Sequence, residues 1–342
     1  FLLELAGEEE VGELLGCTTD LPSIAYQGGK VSMPELEEIY EGRLERIFPC
    51  DRKEEKEKIP TLSYETQKRI FPKQKIAKPR VLIPVFPGTN CEYDSAEALR
   101  RAGAVPEIMV IKNLSAADIT ASVEAFAAGV QKAQMIVVPG GFSGGDEPDG
   151  AGKFITAFFR NSKIKDQVHR LLKERDGLMC GICNGFQALI KLGLVPYGEI
   201  RDADLVHPTL TNNRIGRHQS RLVRVRVASN ASPWLMHSKV GDTHLVPISH
   251  GEGRFICSPE LVKELADRGQ IATQYVDMKG NASMDIDANP NGSAWAVEGI
   301  TSPDGRVLGR MAHSERTGKD LYKNVPGKWD NTFFRGAVDY FQ

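Results

Sequence analysis

The stretch Gly181-Ile182-Cys183-Asn184-Gly185-Phe186-Gln187 follows an apolar run, Leu178 to Ile182, and leads into a helical pattern, Ala188 to Leu192. A thiol at a sharp strand-to-helix turn between small residues projects from the strand end, and the helix amino terminus favours its thiolate. The chemistry this suits is nucleophilic attack on a carbonyl. The backbone amide of Asn184 would point at the same spot. A second strand end, Val138-Pro139-Gly140-Gly141-Phe142, has glycines that let backbone amides approach a substrate closely and offer another oxyanion donor.

Three other readings compete for Cys183: a small buried hydrophobe, half of a Cys180-Gly181-Ile182-Cys183 redox pair, or a zinc ligand. A redox pair belongs at a helix start, whereas Cys180 falls inside the apolar run. Zinc would want a second Cys or His pair at ligand spacing, and the sequence shows none. A thiol nucleophile gains from a base, and the base from an orienting carboxylate. Of the seven histidines, His250 has Glu252 two residues on, and His313 has Glu315. Residues i and i+2 of extended chain face one side. His313 follows the apolar run Val307 to Met311 and so is rigidly placed. Glu252 lies between two glycines, in what reads as a flexible loop, so His313 and Glu315 are the expected catalytic partners. Cys91, beside Glu92, is expected to pack near the rim of the site.

These residues need a scaffold. From Pro79 the sequence alternates short apolar strands (Val81 to Phe86, Glu107 to Ile111, Met135 to Val138, Leu178 to Ile182) with helical stretches (Tyr93 to Ala102, Ala116 to Ala128, Gly152 to Arg160, Lys163 to Arg175). That alternation predicts an α/β domain, an open, mainly parallel sheet covered by helices, with ligands at the carboxyl ends of the strands. Beyond Arg221 the pattern is richer in strands (Leu222 to Val227, Leu245 to Ser249, Ala294 to Gly299, Val307 to Met311), with one helix from Pro259 to Arg268. Ahead of this domain, Ala25 to Val31 reads as a turn between two short strands. Ser32-Met33-Pro34-Glu35 opens a helix ending near Phe48. Residues 49–78, charged and proline-bearing, read as a solvated connector between a segment 1–48 and the domain 79–342.

With 342 residues, 41% hydrophobic and 26% charged at a net charge of −2, the chain has the composition of a folded globular protein. The charge balance gives no support to a nucleic-acid partner. No apolar run reaches the length of a membrane span, and the acidic start is unlike a signal peptide, so a cytoplasmic location is expected. Six cysteines (Cys17, Cys50, Cys91, Cys180, Cys183, Cys257) are too sparse for a disulfide scaffold. The chain opens on Phe1 without an initiator methionine, and is expected to be the tail of a longer polypeptide.

Several blocks occur together and in order: Phe86-Pro87-Gly88-Thr89-Asn90-Cys91-Glu92, Pro139 to Ser143, Gly181 to Gln187, Ser249-His250-Gly251-Glu252-Gly253-Arg254, Asn289-Pro290-Asn291-Gly292-Ser293 and His313 to Arg316. With them, the stretch from about Pro79 to Gln342 resembles the class I, triad-type glutamine amidotransferases, which are flavodoxin-like, and within that family the glutaminase domains of the phosphoribosylformylglycinamidine synthases. The resemblance implies that Cys183 attacks the side-chain amide of L-glutamine, His313 shuttles its proton and Glu315 orients His313. It implies substrate-binding roles for Gly140, Gly141, Asn184, Gln187 and His250: oxyanion amides from Gly141 and Asn184, a glutamine pocket shaped by Gln187, and a loop from His250 to Arg254 near the pocket and the synthetase. The family that this stretch resembles usually shows proline between the histidine and the glutamate, where this sequence has Ser314. Residues 1–48 resemble the end of a synthetase portion in the long, single-chain form. The implied partner is therefore a synthetase domain of the same polypeptide, with ATP and magnesium bound there, since no phosphate-binding glycine loop stands in this segment. No metal, nucleic-acid or membrane site is expected here. Competing functions are another triad amidotransferase or cysteine hydrolase with a different acceptor, a thiol oxidoreductase, and a catalytically silent docking subunit.

Overall fold

A computed structural model of the chain describes residues 3–5, 7, 11–47, 58–67, 69–145, 151–318, 321–329 and 332–342. Two compact units emerge, Phe1–Lys53 and Glu54–Gln342. In the first, strands β1 (Ser23–Tyr26) and β2 (Gly29–Ser32) form a hairpin whose two turn residues, Gln27 and Gly28, both have positive φ (47° and 81°), the turn that matches strand twist. Helix α1 (Met33–Gly42) starts as its residues dictate: Ser32 caps it by accepting from the Glu35 N–H at 3.3 Å, with Pro34 in the first turn. It stops at Gly42, earlier than the periodicity predicts, and Arg43 to Ile47 continue as turns; Phe48, where the helix was expected to end, lies outside the described residues.

The second unit runs β3 (Arg80–Val85), α2 (Glu92–Ala102), β4 (Val105–Val110), α3 (Ala116–Lys132), β5 (Met135–Val138), α4 (Lys153–Phe159), α5 (Ser162–Lys173), β6 (Leu178–Ile182), α6 (Asn184–Leu192) and α7 (Leu194–Tyr197). It continues with β7 (Thr209–Asn212), β8 (Gln219–Val227), β9 (Thr243–His250), β10 (Glu252–Ile256), α8 (Pro259–Asp267), β11 (Ile271–Tyr275), β12 (Val297–Thr301), β13 (Val307–Arg310) and α9 (Phe333–Asp339). Nine strands join in the order β4-β3-β5-β6-β13-β12-β11-β8-β9. The half from β4 to β13 is parallel, and from β12 outward each pairing is antiparallel. This is the α/β sheet that the alternation predicts. Strands β5 and β6 are buried along their whole length, which is why they read as unbroken apolar runs rather than alternating ones.

The structure corrects four expectations. Of the connector expected at 49–78, residues 49–57 and 68 lie outside the described residues, and the rest is not free. The Leu62 N–H donates to Gln274 Oε1 (2.8 Å), the Lys73 N–H to Asp176 Oδ2 (3.0 Å) and the Ile76 N–H to the Phe341 carbonyl (2.7 Å), while Leu62, Ile70 and Ile76 pack on the core. Charge content hid the apolar residues that fasten this strap. Glu252 is not in a flexible loop; it opens β10, which pairs with β7. Strand β12 begins at Val297, because Ala294 to Ala296 make a 3₁₀ turn in which Trp295 and Ala296 have φ of 50° and 54°. Strand β11 and helix α9, both largely buried, escaped the pattern reading.

Candidate active site

Register brings distant residues to one place. In the parallel pairs, Val138 is level with Gly181 and Arg310 with Ile182, so residues just past each strand converge at the carboxyl edge of the sheet. From β6 comes Cys183, from β5 Gly140 and Gly141, and from β13 His313 and Glu315. Cys183 sits at φ 52° and ψ −105°, a strained conformation for a residue with a side chain, and its N–H donates to the Arg310 carbonyl at 2.8 Å. Helix α6 begins at the next residue, Asn184, earlier than expected, so its amino terminus abuts the thiol. The elbow closes because Gly185 has no side chain: a Cβ there would lie 2.0 Å from the Val138 carbonyl oxygen.

His313 Nδ1 bonds Glu315 Oε1 at 2.6 Å, and both residues are buried. Burial by itself would push the imidazole down, but the Glu315 carboxylate and the Cys183 thiol beside it hold His313 well above its usual range. The imidazolium is therefore the favoured form. The Cys183 thiol donates to the Ser249 carbonyl at 3.7 Å. Gly140 lies where these groups meet, since a Cβ there would stand 2.8 Å from His313 Cε1, 3.2 Å from Cys91 Sγ and 3.4 Å from Cys183 Cβ. Gly141, at φ 133°, makes an isolated antiparallel bridge with Thr89, and a Cβ on it would lie 2.8 Å from the Asn90 nitrogen. The two glycine-bearing loops, 86–91 and 139–144, are thus clamped face to face.

The chain between His313 and Glu315 is fixed by a buried ion pair. Arg310 donates through Nε and Nη2 to Glu298 (3.3 and 3.2 Å) and through Nη1 to Ser314 Oγ at 2.6 Å. Glu298 in turn accepts from the Ala312 N–H at 2.8 Å and from the Thr273 hydroxyl. Ser314, between His313 and Glu315, is held through its hydroxyl.

The model of the CobB/CobQ-like glutamine amidotransferase domain family matches residues 78–341. The chain belongs to this family. Among curated relatives, the phosphoribosylformylglycinamidine synthase subunit PurQ of Methanococcus maripaludis strain C5 is 36% identical over 248 residues, 70% of this chain and 83% of that protein. The PurQ subunit of Treponema denticola is 35% identical over 252 residues, 70% of this chain and 88% of its own. Among solved structures, a chain of PurLQS from Thermotoga maritima superposes with a TM-score of 0.57 at 26% identity, covering 78% of this chain and all (100%) of that one.

Within this amidotransferase domain, the side chains of the other residues chosen from the sequence join a buried hydrogen-bond network. Asn184 Nδ2 donates to Gln187 Oε1 at 2.9 Å, its Oδ1 accepts from the Ser143 N–H at 3.3 Å, and Gln187 Nε2 donates to the Glu252 carbonyl. Together they tie α6 to the 139–144 loop and to β10. His250 is buried beside Ser249; Asn213 Nδ2 donates to the His250 carbonyl at 2.7 Å, so Asn213 Oδ1 accepts from His250 Nδ1–H at 3.1 Å. Burial pushes the His250 imidazole down to about 3, so it is neutral. Cys180 lies wholly buried inside β6, burial pushes its thiol up, and neither it nor Cys183 is in a disulfide. That placement leaves little for a Cys180–Cys183 redox pair. The pattern reading missed Arg310 and Glu298, although a charged residue inside each of two adjacent apolar strands is the mark of a buried pair. It also placed Cys91 at the rim, whereas Cys91 is 1% exposed and meets the histidine.

Proposed function

We propose that this chain is the glutaminase part of a phosphoribosylformylglycinamidine synthase, releasing ammonia from glutamine for the ATP-dependent conversion of formylglycinamide ribonucleotide to formylglycinamidine ribonucleotide. The observation that carries the reading is Cys183, strained at a strand-to-helix elbow, beside a histidine whose other nitrogen is held at 2.6 Å by a buried carboxylate. The PurQ relatives supply the acceptor. In this reading the Cys183 thiolate adds to the carboxamide carbon of glutamine, and the oxyanion is met by the amides of Gly141 and Asn184. His313, favoured as the imidazolium, gives its proton to the departing nitrogen, so ammonia leaves and a thioester remains. His313 then takes a proton from water, which cleaves the thioester to glutamate and free thiol. Glu315 keeps Nδ1 protonated, leaving Nε2 to move the proton.

Residues 1–48, which fall within the smaller unit and resemble the end of a synthetase portion, support a fused, single-chain form, with ATP and magnesium assigned to the synthetase; a cytoplasmic location is part of the same proposal. Among the described residues no helix is long and apolar enough to cross a membrane. The test is glutamine hydrolysis by the chain and its Cys183→Ala variant, with and without a synthetase and the formylglycinamide ribonucleotide. Hydrolysis lost with Cys183 and coupled to amidine formation only by this synthetase is the expected result. Turnover that survives Cys183→Ala, or couples to another acceptor, overturns the reading.

A further inference from the structure

Cys91 is a buried thiol beside the catalytic histidine that the proposed reaction leaves unused. It stands at the head of α2, and its sulfur, a ring nitrogen of His313 and a carboxylate oxygen of Glu315 lie within 4.8 Å of one another. Two segments distant in sequence supply these atoms, so only the His313 and Glu315 part is announced by spacing. His313 Nε2 and Glu315 Oε2 are both buried without a hydrogen-bond partner, in residues 2% and 3% exposed. Of these, Glu315 Oε2 is an acceptor, and an unpartnered buried acceptor is costly and calls for an occupant; His313 Nε2 becomes one when the imidazolium gives up its proton. Arg316 Nη2 donates to Cys91 Sγ at 3.0 Å, an outer hydrogen bond that a metal-bound sulfur would keep, and the thiol itself donates to Asn90 Oδ1 at 3.0 Å.

We propose that Cys91, His313 and Glu315 form a binding site for a borderline-soft divalent cation of the zinc class, and that its occupation switches the glutamine chemistry off. One sulfur, one imidazole nitrogen and one carboxylate suit zinc far better than magnesium or calcium, which take oxygen. Bonds of about 2.0 to 2.3 Å put tetrahedral zinc ligands some 3.3 to 3.8 Å apart, so the donors need to draw in by about 1 Å. Cys183, the other thiol interacting with His313, is on hand as a fourth ligand. The bound ion would occupy the base and its carboxylate together, which stops proton transfer.

Inhibition rests on the glutaminase reading, but binding does not, so binding is measured first. The whole chain is stripped with a chelator and titrated with zinc against a chromophoric zinc indicator; cobalt(II) then replaces zinc to read thiolate-to-metal absorption. One zinc per chain is expected. Cys91→Ser should weaken binding by about 100-fold or more and remove the Cys91 share of the thiolate bands, since even outer-shell losses cost about 10- to 100-fold. Cys257→Ser, whose thiol belongs to a different part of the fold, should change nothing. Should Cys91→Ser fail to fold, X-ray absorption of zinc-loaded Cys183→Ala decides: a sulfur neighbour is expected, and a shell of nitrogen and oxygen alone overturns the site. Absence of stoichiometric binding, or equal affinity in Cys91→Ser, likewise overturns it. Where the chain hydrolyses glutamine, activity should fall with zinc occupancy, return with chelator, and resist the same zinc in Cys91→Ser.

Discussion

Removing the carboxylate of Glu298 should cost both stability and turnover, by separable routes. The side chains of Glu298 and Arg310 are 0% and 1% exposed, and Glu298 serves the guanidinium, the Ala312 N–H and the Thr273 hydroxyl. Breaking a buried pair by deleting one partner costs about 3 to 5 kcal/mol, and an orphaned backbone donor adds about 1 to 3 kcal/mol. Because these losses overlap, Glu298→Ala should lose about 5 kcal/mol, read as a lower urea midpoint at an unchanged slope. Ala312 and Ser314 flank His313, so the histidine should also shift. A displacement of about 1 Å can cost about 100-fold in kcat. The double variant Glu298→Leu with Arg310→Met separates the effects, since apolar replacement of a buried ion pair is often neutral for stability. It should regain most of the midpoint but not the kcat. A Glu298→Ala chain with a wild-type midpoint and wild-type turnover would refute this reasoning.

Other perturbations test other parts of the site. Gly185→Ala drives a methyl to within 2.0 Å of the Val138 carbonyl oxygen, backbone that cannot rotate away; glutamine hydrolysis should vanish and the thermal midpoint drop in the same preparation. Ser314→Ala removes the 2.6 Å bond from Arg310, so kcat should fall several-fold with KM nearly unchanged, and equal losses in affinity would argue against a positioning role. His250 is neutral in the fold, with its pKa depressed to about 3, whereas the unfolded chain takes up the proton near 6.5. Stability should therefore fall as pH drops from about 6.5 toward about 3, by up to about 1.4 kcal/mol per pH unit from this group, with no contribution above that window. Urea midpoints of His250→Gln across the same range should show a flatter acid limb; an identical slope would place the proton uptake elsewhere.

Local chemistry made much of this molecule readable. The strand-to-helix turn at Cys183 was legible because small residues, an apolar run and a helical pattern meet there, and β5 and β6 read as strands because burial on both faces leaves them wholly apolar. His313 and Glu315 were legible as an i, i+2 pair following a strand. What escaped depends on contacts distant in sequence. Cys91 meets His313 only through the sheet order, which sets the end of β13 beside β6 and the turn after β3 nearby. The strap at residues 58–78 is held by backbone groups and a few apolar side chains, so its charge content gave the opposite impression. Gln187 and Asn184 lie in the elbow as the pattern suggests, yet their amides are committed to each other, to Ser143 and to Glu252, a division of roles visible only with β10 in place.

The most direct test of the central claim is labelling of the chain with a glutamine-like electrophile, such as a diazo-ketone analogue, followed by peptide mapping with and without excess glutamine. A single adduct on Cys183 that glutamine suppresses is the predicted result. Labelling confined to Cys91 or Cys257, or labelling of Cys183 that glutamine leaves unchanged, would contradict the account.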